Sequence, residues 1–254
     1  MRNELQKILK GFCIPVTFYA PKPGDKPLTQ DEMAQLFHDF NFKVVPVPAR
    51  VAIALDTSDI YIRLTDKLAD GNSIAGFGGM EKRAASLGKK STALVVQQTL
   101  YRFVRGATEG EKFQESNREF GGDSPVLTAK TFEDELDSLT RFLDALASNM
   151  GARWSDRTSL HLSSPGWQAL GVIYHDLVHV LQVPDFEAST AAIARIDWSR
   201  TNPLWKDLML ERTKDDGTTE LVLGSAGANN RRAMIKALRQ ELGIADLFSW
   251  RPNV

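Results

Sequence analysis

Cysteine occurs once in this sequence, at Cys13, so no disulfide can form within the chain and the composition fits a reducing compartment. Long apolar runs are missing as well. The longest, residues 44–55, is interrupted by Pro46, Pro48 and Arg50 and falls far short of a membrane span. The opening MRNELQKILKGF carries no apolar segment of signal-peptide length, so the expectation is a cytoplasmic protein with no membrane partner. An excess of one charge is also lacking: 31 Lys and Arg stand against 32 Asp and Glu. A net charge of −1 leaves no global field to attract a polyanion, only local ones. No internal repeat, low-complexity tract or Ser-His-Asp arrangement is legible, and no catalytic residue or cofactor is expected.

The local fields are there. Residues 80–105, MEKRAASLGKKSTALVVQQTLYRFVR, hold Lys82, Arg83, Lys89, Lys90, Arg102 and Arg105 against the single acid Glu81. A second block begins at Asn229-Asn230-Arg231-Arg232 and runs through Lys236 and Arg239, with no acid before Glu241. A patch of this kind on a balanced chain is what a nucleic acid reads. Arg and Asn are also the side chains shaped for guanine and adenine edges. Gln98, Arg102 and Arg105, at i, i+4 and i+7, form the polar stripe of the helix that carries the first block.

With 254 residues, the chain can bury a core as one large domain or as two, divided near residues 1–120 and 121–254 by the turn-rich Gly121-Gly122-Asp123-Ser124-Pro125. The periodicities predict a mainly α (α+β) protein, bundle-like, with one N-terminal strand and one hairpin. The β-branched and aromatic residues 13–19 read as the strand. Thr29-Gln30-Asp31-Glu32 is a capping box opening a helix to about Asn41. Helices follow at 49–55, at 58–69 with Asp56 as cap, and from Ser91 to Arg105. Others cover 132–150 (Thr131 as cap), from Ser164 with Pro165 at its first position, 186–195 and 229–242. Lys214-Asp215-Asp216-Gly217 between residues 208–212 and 218–223 is an Asp-Gly hairpin signal.

Several motifs dissolve on inspection. Gly88-Lys89-Lys90-Ser91 imitates the end of a P-loop, yet Lys90 stands where Ser or Thr is required and Arg83 where the first Gly belongs. What survives is a basic turn that offers amides and positive charge to a phosphate. His175-Asp176-Leu177-Val178-His179 spaces two imidazoles like a zinc motif, but Asp replaces the required Glu. Only His38 and His161 remain as further histidines, so no metal site is expected. Asp56 and Asp59 read as helix-start carboxylates rather than magnesium ligands.

The order of Gln35-Leu36-Phe37-His38-Asp39-Phe40-Asn41, Ala54-Leu55-Asp56-Thr57-Ser58-Asp59, Met80-Glu81-Lys82-Arg83 and the helix after Ser91 resembles the C-terminal part of the DGQHR-domain proteins, the DndB-like family. It covers residues 14–106 best and continues weakly through 198–205 and the last helix. The resemblance implies a bacterial protein linked to phosphorothioate DNA modification or a related defence system, acting as a DNA-binding regulator. The Asp-Gly-Gln-His-Arg motif does not occur here. In the family it lies just before the strand that residues 13–19 would match, so the expectation is a chain truncated before Met1 or a divergent member.

The resulting expectation is a protein that binds double-stranded DNA without chemistry of its own. Its candidate contacts are Lys82, Arg83, Lys89, Lys90, Gln98, Arg102, Arg105, Asn229, Asn230, Arg231, Arg232, Lys236 and Arg239. Two rivals stand beside it. In one, the acidic helix at 133–144 and the basic blocks pair between subunits of a homo-oligomer. In the other, His175 and His179 serve a metal-dependent hydrolase.

Overall fold

A computed structural model describes residues 28–42, 53, 58–88, 90–115, 124, 126–214, 216–225 and 227–248. The strand expected at 13–19, the helix expected at 49–55 (Ile53 apart) and Lys89 lie outside them. The protein is mainly α. Helix α1 (Gln30–Phe42) opens on the expected capping box. Thr29 N donates to Glu32 Oε2 at 2.8 Å and Glu32 N donates back to Thr29 Oγ1 at 3.2 Å. Helix α2 (Ile60–Ala69) starts later than expected, and its cap is Asp59, whose Oδ1 accepts from Tyr61 N at 2.7 Å. Asp56 lies outside the described residues.

After the short α3 (Asn72–Ala75), strand β1 (Met80–Glu81) pairs in parallel with β2 (Val95–Val96). This pairing overrides the helix expected from Ser91. Val95 and Val96 are β-branched and buried, and suit a strand better than a helix. Helix α4 therefore runs Gln97–Glu109, while Ser91 Oγ accepts from Ala93 N in a local turn. The single turn α5 (Lys112–Glu115) follows.

Helix α6 (Phe132–Met150) has the expected bounds, but Thr131 does not cap it: its hydroxyl donates to the carbonyl of Val126. Helix α7 (Ser164–His175) is capped by Ser163, which accepts from Gly166 N at 3.1 Å, so Pro165 sits second rather than first. It runs on into a π turn at Asp176–Val180. Helix α8 (Glu187–Arg195) precedes the hairpin of β3 (Met209–Thr213) and β4 (Thr219–Leu223), in antiparallel register from Met209↔Leu223 to Thr213↔Thr219. Gly217, at φ +80°, makes the tight turn that the Asp-Gly pair predicted. Helix α9 (Gly227–Glu241) closes the set.

Helix α7 is the centre of the assembly, packed against both α4 and α9. Two glycines allow the close approach to α4. A Cβ on Gly171 would stand 2.3 Å from the Phe103 carbonyl oxygen, and one on Gly106 would stand 3.2 Å from that of Gln168. Trp167 then meets Phe103 edge-on at 5.5 Å and Trp154 at 5.7 Å, all three buried. The apolar cluster includes Leu100 and Phe103 from one side of residue 120 and Leu143, Trp167 and Leu238 from the other. No helix among the described residues is long and apolar enough to cross a membrane.

Candidate nucleic-acid interface

Three of the residues expected to meet DNA face inward. Arg105 is 3% exposed and holds Glu109 through two hydrogen bonds, Nε to Oε1 at 2.9 Å and Nη2 to Oε2 at 3.0 Å. Burial opposes its charge, but this pairing outweighs burial and raises the guanidinium pKa. Arg239 is held just as firmly by Asp176, with Nε to Oδ2 at 2.8 Å. Asn230 is buried, and its Nδ2 donates to the Gly224 carbonyl at 2.7 Å, fastening the first turn of α9 to the end of the hairpin. All three stabilise the interior.

Three other arginines of the two blocks come together. Arg102 projects from α4, and Arg231 and Arg232 from the first turns of α9, two helices that both pack on α7. Arg231 Nη1 donates to Gln168 Oε1, an α7 side chain, at 2.7 Å, and its guanidinium lies 5.2 Å over the Phe113 ring. Its Nε is buried with no acceptor among the described residues. The Arg231 pKa is pulled down to about 10, first by burial and then by the positive charges of Arg102 and Arg232. Among the described residues, no carboxylate forms an ion pair with any of the three. Lys236, one helical turn beyond Arg232, is exposed, as is Asn229; Gln98, one turn before Arg102, is half-buried.

The first block divides differently. Lys82 Nζ pairs with Asp66 Oδ1 at 3.1 Å, and Arg83 and Lys90 are exposed. The turn bearing Lys90 is held by Arg157, whose Nη1 donates to the Ser91 carbonyl at 2.5 Å. Nearby Arg200 donates from Nε to the Thr158 carbonyl at 3.2 Å and from Nη1 to that of Leu221 at 3.1 Å. Both arginines line a groove of about 390 Å³ against the basic turn. Neither was visible as a site residue in the sequence, because an isolated arginine carries no pattern. Gln168, which orients Arg231, was equally silent.

Of the histidine pair, His179 is engaged by a carboxylate. His179 Nε2 contacts Glu135 Oε1 at 3.2 Å, and the two imidazoles stand 5.4 Å apart, centre to centre. Burial, then the charges of His179 and Arg239, pushes the His175 pKa down to about 4. Among the described residues, no three His, Cys, Asp or Glu gather as a metal site would require. Asp59 caps α2, and Asp66 accepts from Gln97 Nε2 at 3.0 Å.

Fold and surface thus define a mainly α protein carrying an arginine cluster with no paired carboxylate among the described residues. The chain belongs to the DndB family, described as DNA-sulfur modification-associated, whose family model matches residues 5–245. That match extends well beyond residues 14–106, where the sequence resemblance was clearest. No curated protein and no solved structure matches it.

Proposed function

We propose that this DndB-family chain is a DNA-binding accessory or regulatory protein of a bacterial DNA sulfur-modification system, working in the cytoplasm. It docks on the phosphate backbone of double-stranded DNA through Arg102, Arg231, Arg232 and Lys236. Arg83 and Lys90 extend the contact, and Asn229 and Gln98 border it. The observation that carries this reading is Arg231: a partly buried guanidinium beside two further arginines, with no paired carboxylate among the described residues. Like charges held together at reduced hydration cost free energy in the free protein. A phosphate beside the cluster offsets that cost, which makes it the natural complement. The family's association with DNA sulfur modification supports DNA as the polyanion.

The test is an anisotropy titration of a labelled duplex across a salt series. Four phosphate contacts give a log–log slope of about −3 to −4. The double variant Arg102→Ala with Arg232→Ala should flatten it by about 2. Absence of any complex at about 50 mM salt would end the proposal.

A further inference from the structure

Beyond the duplex contact, the groove held by Arg157 and Arg200 has a chemistry of its own. Each guanidinium is fixed by two backbone carbonyls, Ser91 and Gly88 for Arg157, Thr158 and Leu221 for Arg200. Carbonyl oxygens orient a guanidinium without neutralising it. Each therefore keeps a full positive charge and donors to spare, in a fixed direction. No carboxylate appears in the lining, and the neighbouring Asp156 is committed to the Thr158 amide at 2.9 Å and hydroxyl at 2.8 Å. These two lining residues thus suit the groove to an anion.

The rest of the lining differs. Leu87, Leu94, Val96 and Leu162 give the groove aliphatic walls, with the hydroxyl-bearing Ser86 and Ser164 between them. At about 390 Å³ it has the size of a small-molecule site and is far larger than a bare phosphate needs. A suitable ligand carries one phosphate on a flat, weakly polar body with hydrogen-bonding edges. We infer that the groove seats one nucleotide unit, its phosphate on Arg157 and Arg200 and its base against the aliphatic walls. The seat also adjoins the arginine cluster: Thr99 in its lining is one turn from Arg102 on α4, and Ser164 accepts from Gln168, the residue that orients Arg231. The nucleotide can accordingly be free or part of a strand.

Calorimetric titration of the full chain with a deoxynucleoside monophosphate, inorganic phosphate and a six-nucleotide single strand tests this. The mononucleotide should bind and raise the melting temperature, and inorganic phosphate should bind about tenfold or more weakly. Arg157→Ala or Arg200→Ala should each weaken nucleotide binding about tenfold. Because both arginines also tether loops, Ser86→Trp provides the second variant: it fills the groove, leaves the tethers and should abolish nucleotide binding. Displacement of the mononucleotide by the strand assigns the seat to a strand, and failure to displace assigns it to the free nucleotide; either supports the seat. Equal binding of inorganic phosphate, no binding of mononucleotide or strand, or binding that survives Ser86→Trp overturns it. Duplex affinity separates the two readings, since Ser86→Trp should leave it unchanged, whereas Arg102→Ala with Arg232→Ala should lower it and spare the nucleotide.

Discussion

Arg239 grips Asp176 through two parallel hydrogen bonds, Nε to Oδ2 at 2.8 Å and Nη2 to Oδ1 at 3.1 Å. Its Nη1 reaches Glu111 Oε1 at 3.3 Å, and its guanidinium lies 4.1 Å from the centre of the Phe248 ring. Asp176 is 2% exposed and opens the π turn after α7, so the pair ties α9 to the end of the central helix. Breaking a buried pair strands one charge. Arg239→Ala should therefore cost about 3–5 kcal/mol in urea unfolding, while the folded fraction still binds duplex normally. Asp176→Leu with Arg239→Met removes both charges and should recover most of that loss. A stable Arg239→Ala protein with weakened duplex binding would put this arginine back on the surface.

The contact between α4 and α7 depends on Gly171. An added Cβ meets the Phe103 carbonyl oxygen at 2.3 Å, and a backbone carbonyl cannot swing aside as a side chain can. Gly171→Ala improves helix propensity yet should destabilise the protein by about 1–3 kcal/mol through forced separation of the helices. Thermal or urea unfolding checks the sign. An increase in stability would show that the two helices are not in such close contact.

The local rules of the chain were legible where propensity and packing agree. The Thr29–Glu32 box, the helix at Phe132–Met150 and the Asp-Gly hairpin all follow from short-range chemistry. At residues 91–96 a capping serine suggested a helix. The partner strand at Met80–Glu81, distant in sequence, claimed Val95 and Val96 instead. The arginines divide for the same reason. Arg105 and Arg102 sit three residues apart, and the identity of their neighbours decides that one binds Glu109 and the other pairs with no carboxylate among the described residues. Charge counting sees both alike. The approach of Arg102 to Arg231 depends on two helices packing against α7, which no spacing rule encodes.

His161 makes stability depend on pH. It is 1% exposed, with Nε2 3.0 Å from the Trp154 carbonyl and Nδ1 2.7 Å from Ser159 Oγ. The neutral ring fits both, donating from Nε2 and accepting at Nδ1. Burial pushes its pKa down to about 4, and His175 is likewise pushed to about 4. The unfolded chain binds these protons near pH 6.5, before the folded one does, so both contributions are full above that pH and shrink as it falls toward 4. Urea unfolding should show roughly 2 kcal/mol lost from His161 between pH 7 and pH 4.5. Constant stability across that window, or a His161 imidazole NMR signal titrating near 6.5, would contradict the buried neutral ring.

The arginine cluster should trade stability against binding. Arg102 and Arg232 each repel Arg231 in the free protein, and Gln168, which accepts from Arg231, is neutral. Removing Arg102 or Arg232 should relieve that repulsion and leave the free protein unchanged or more stable by up to about 1 kcal/mol. The same change should weaken duplex binding, since one phosphate contact is lost. Added phosphate or sulfate should raise the melting temperature of the wild type more than chloride at equal ionic strength, by occupying the cluster. In Arg102→Ala with Arg232→Ala that anion-specific increment should shrink. A surface arginine with no such role would show none of this: its loss would alter neither duplex affinity nor the anion response. Melting curves in matched salts, read beside the duplex titration, separate the two cases. Loss of stability together with loss of binding would instead mark these side chains as structural.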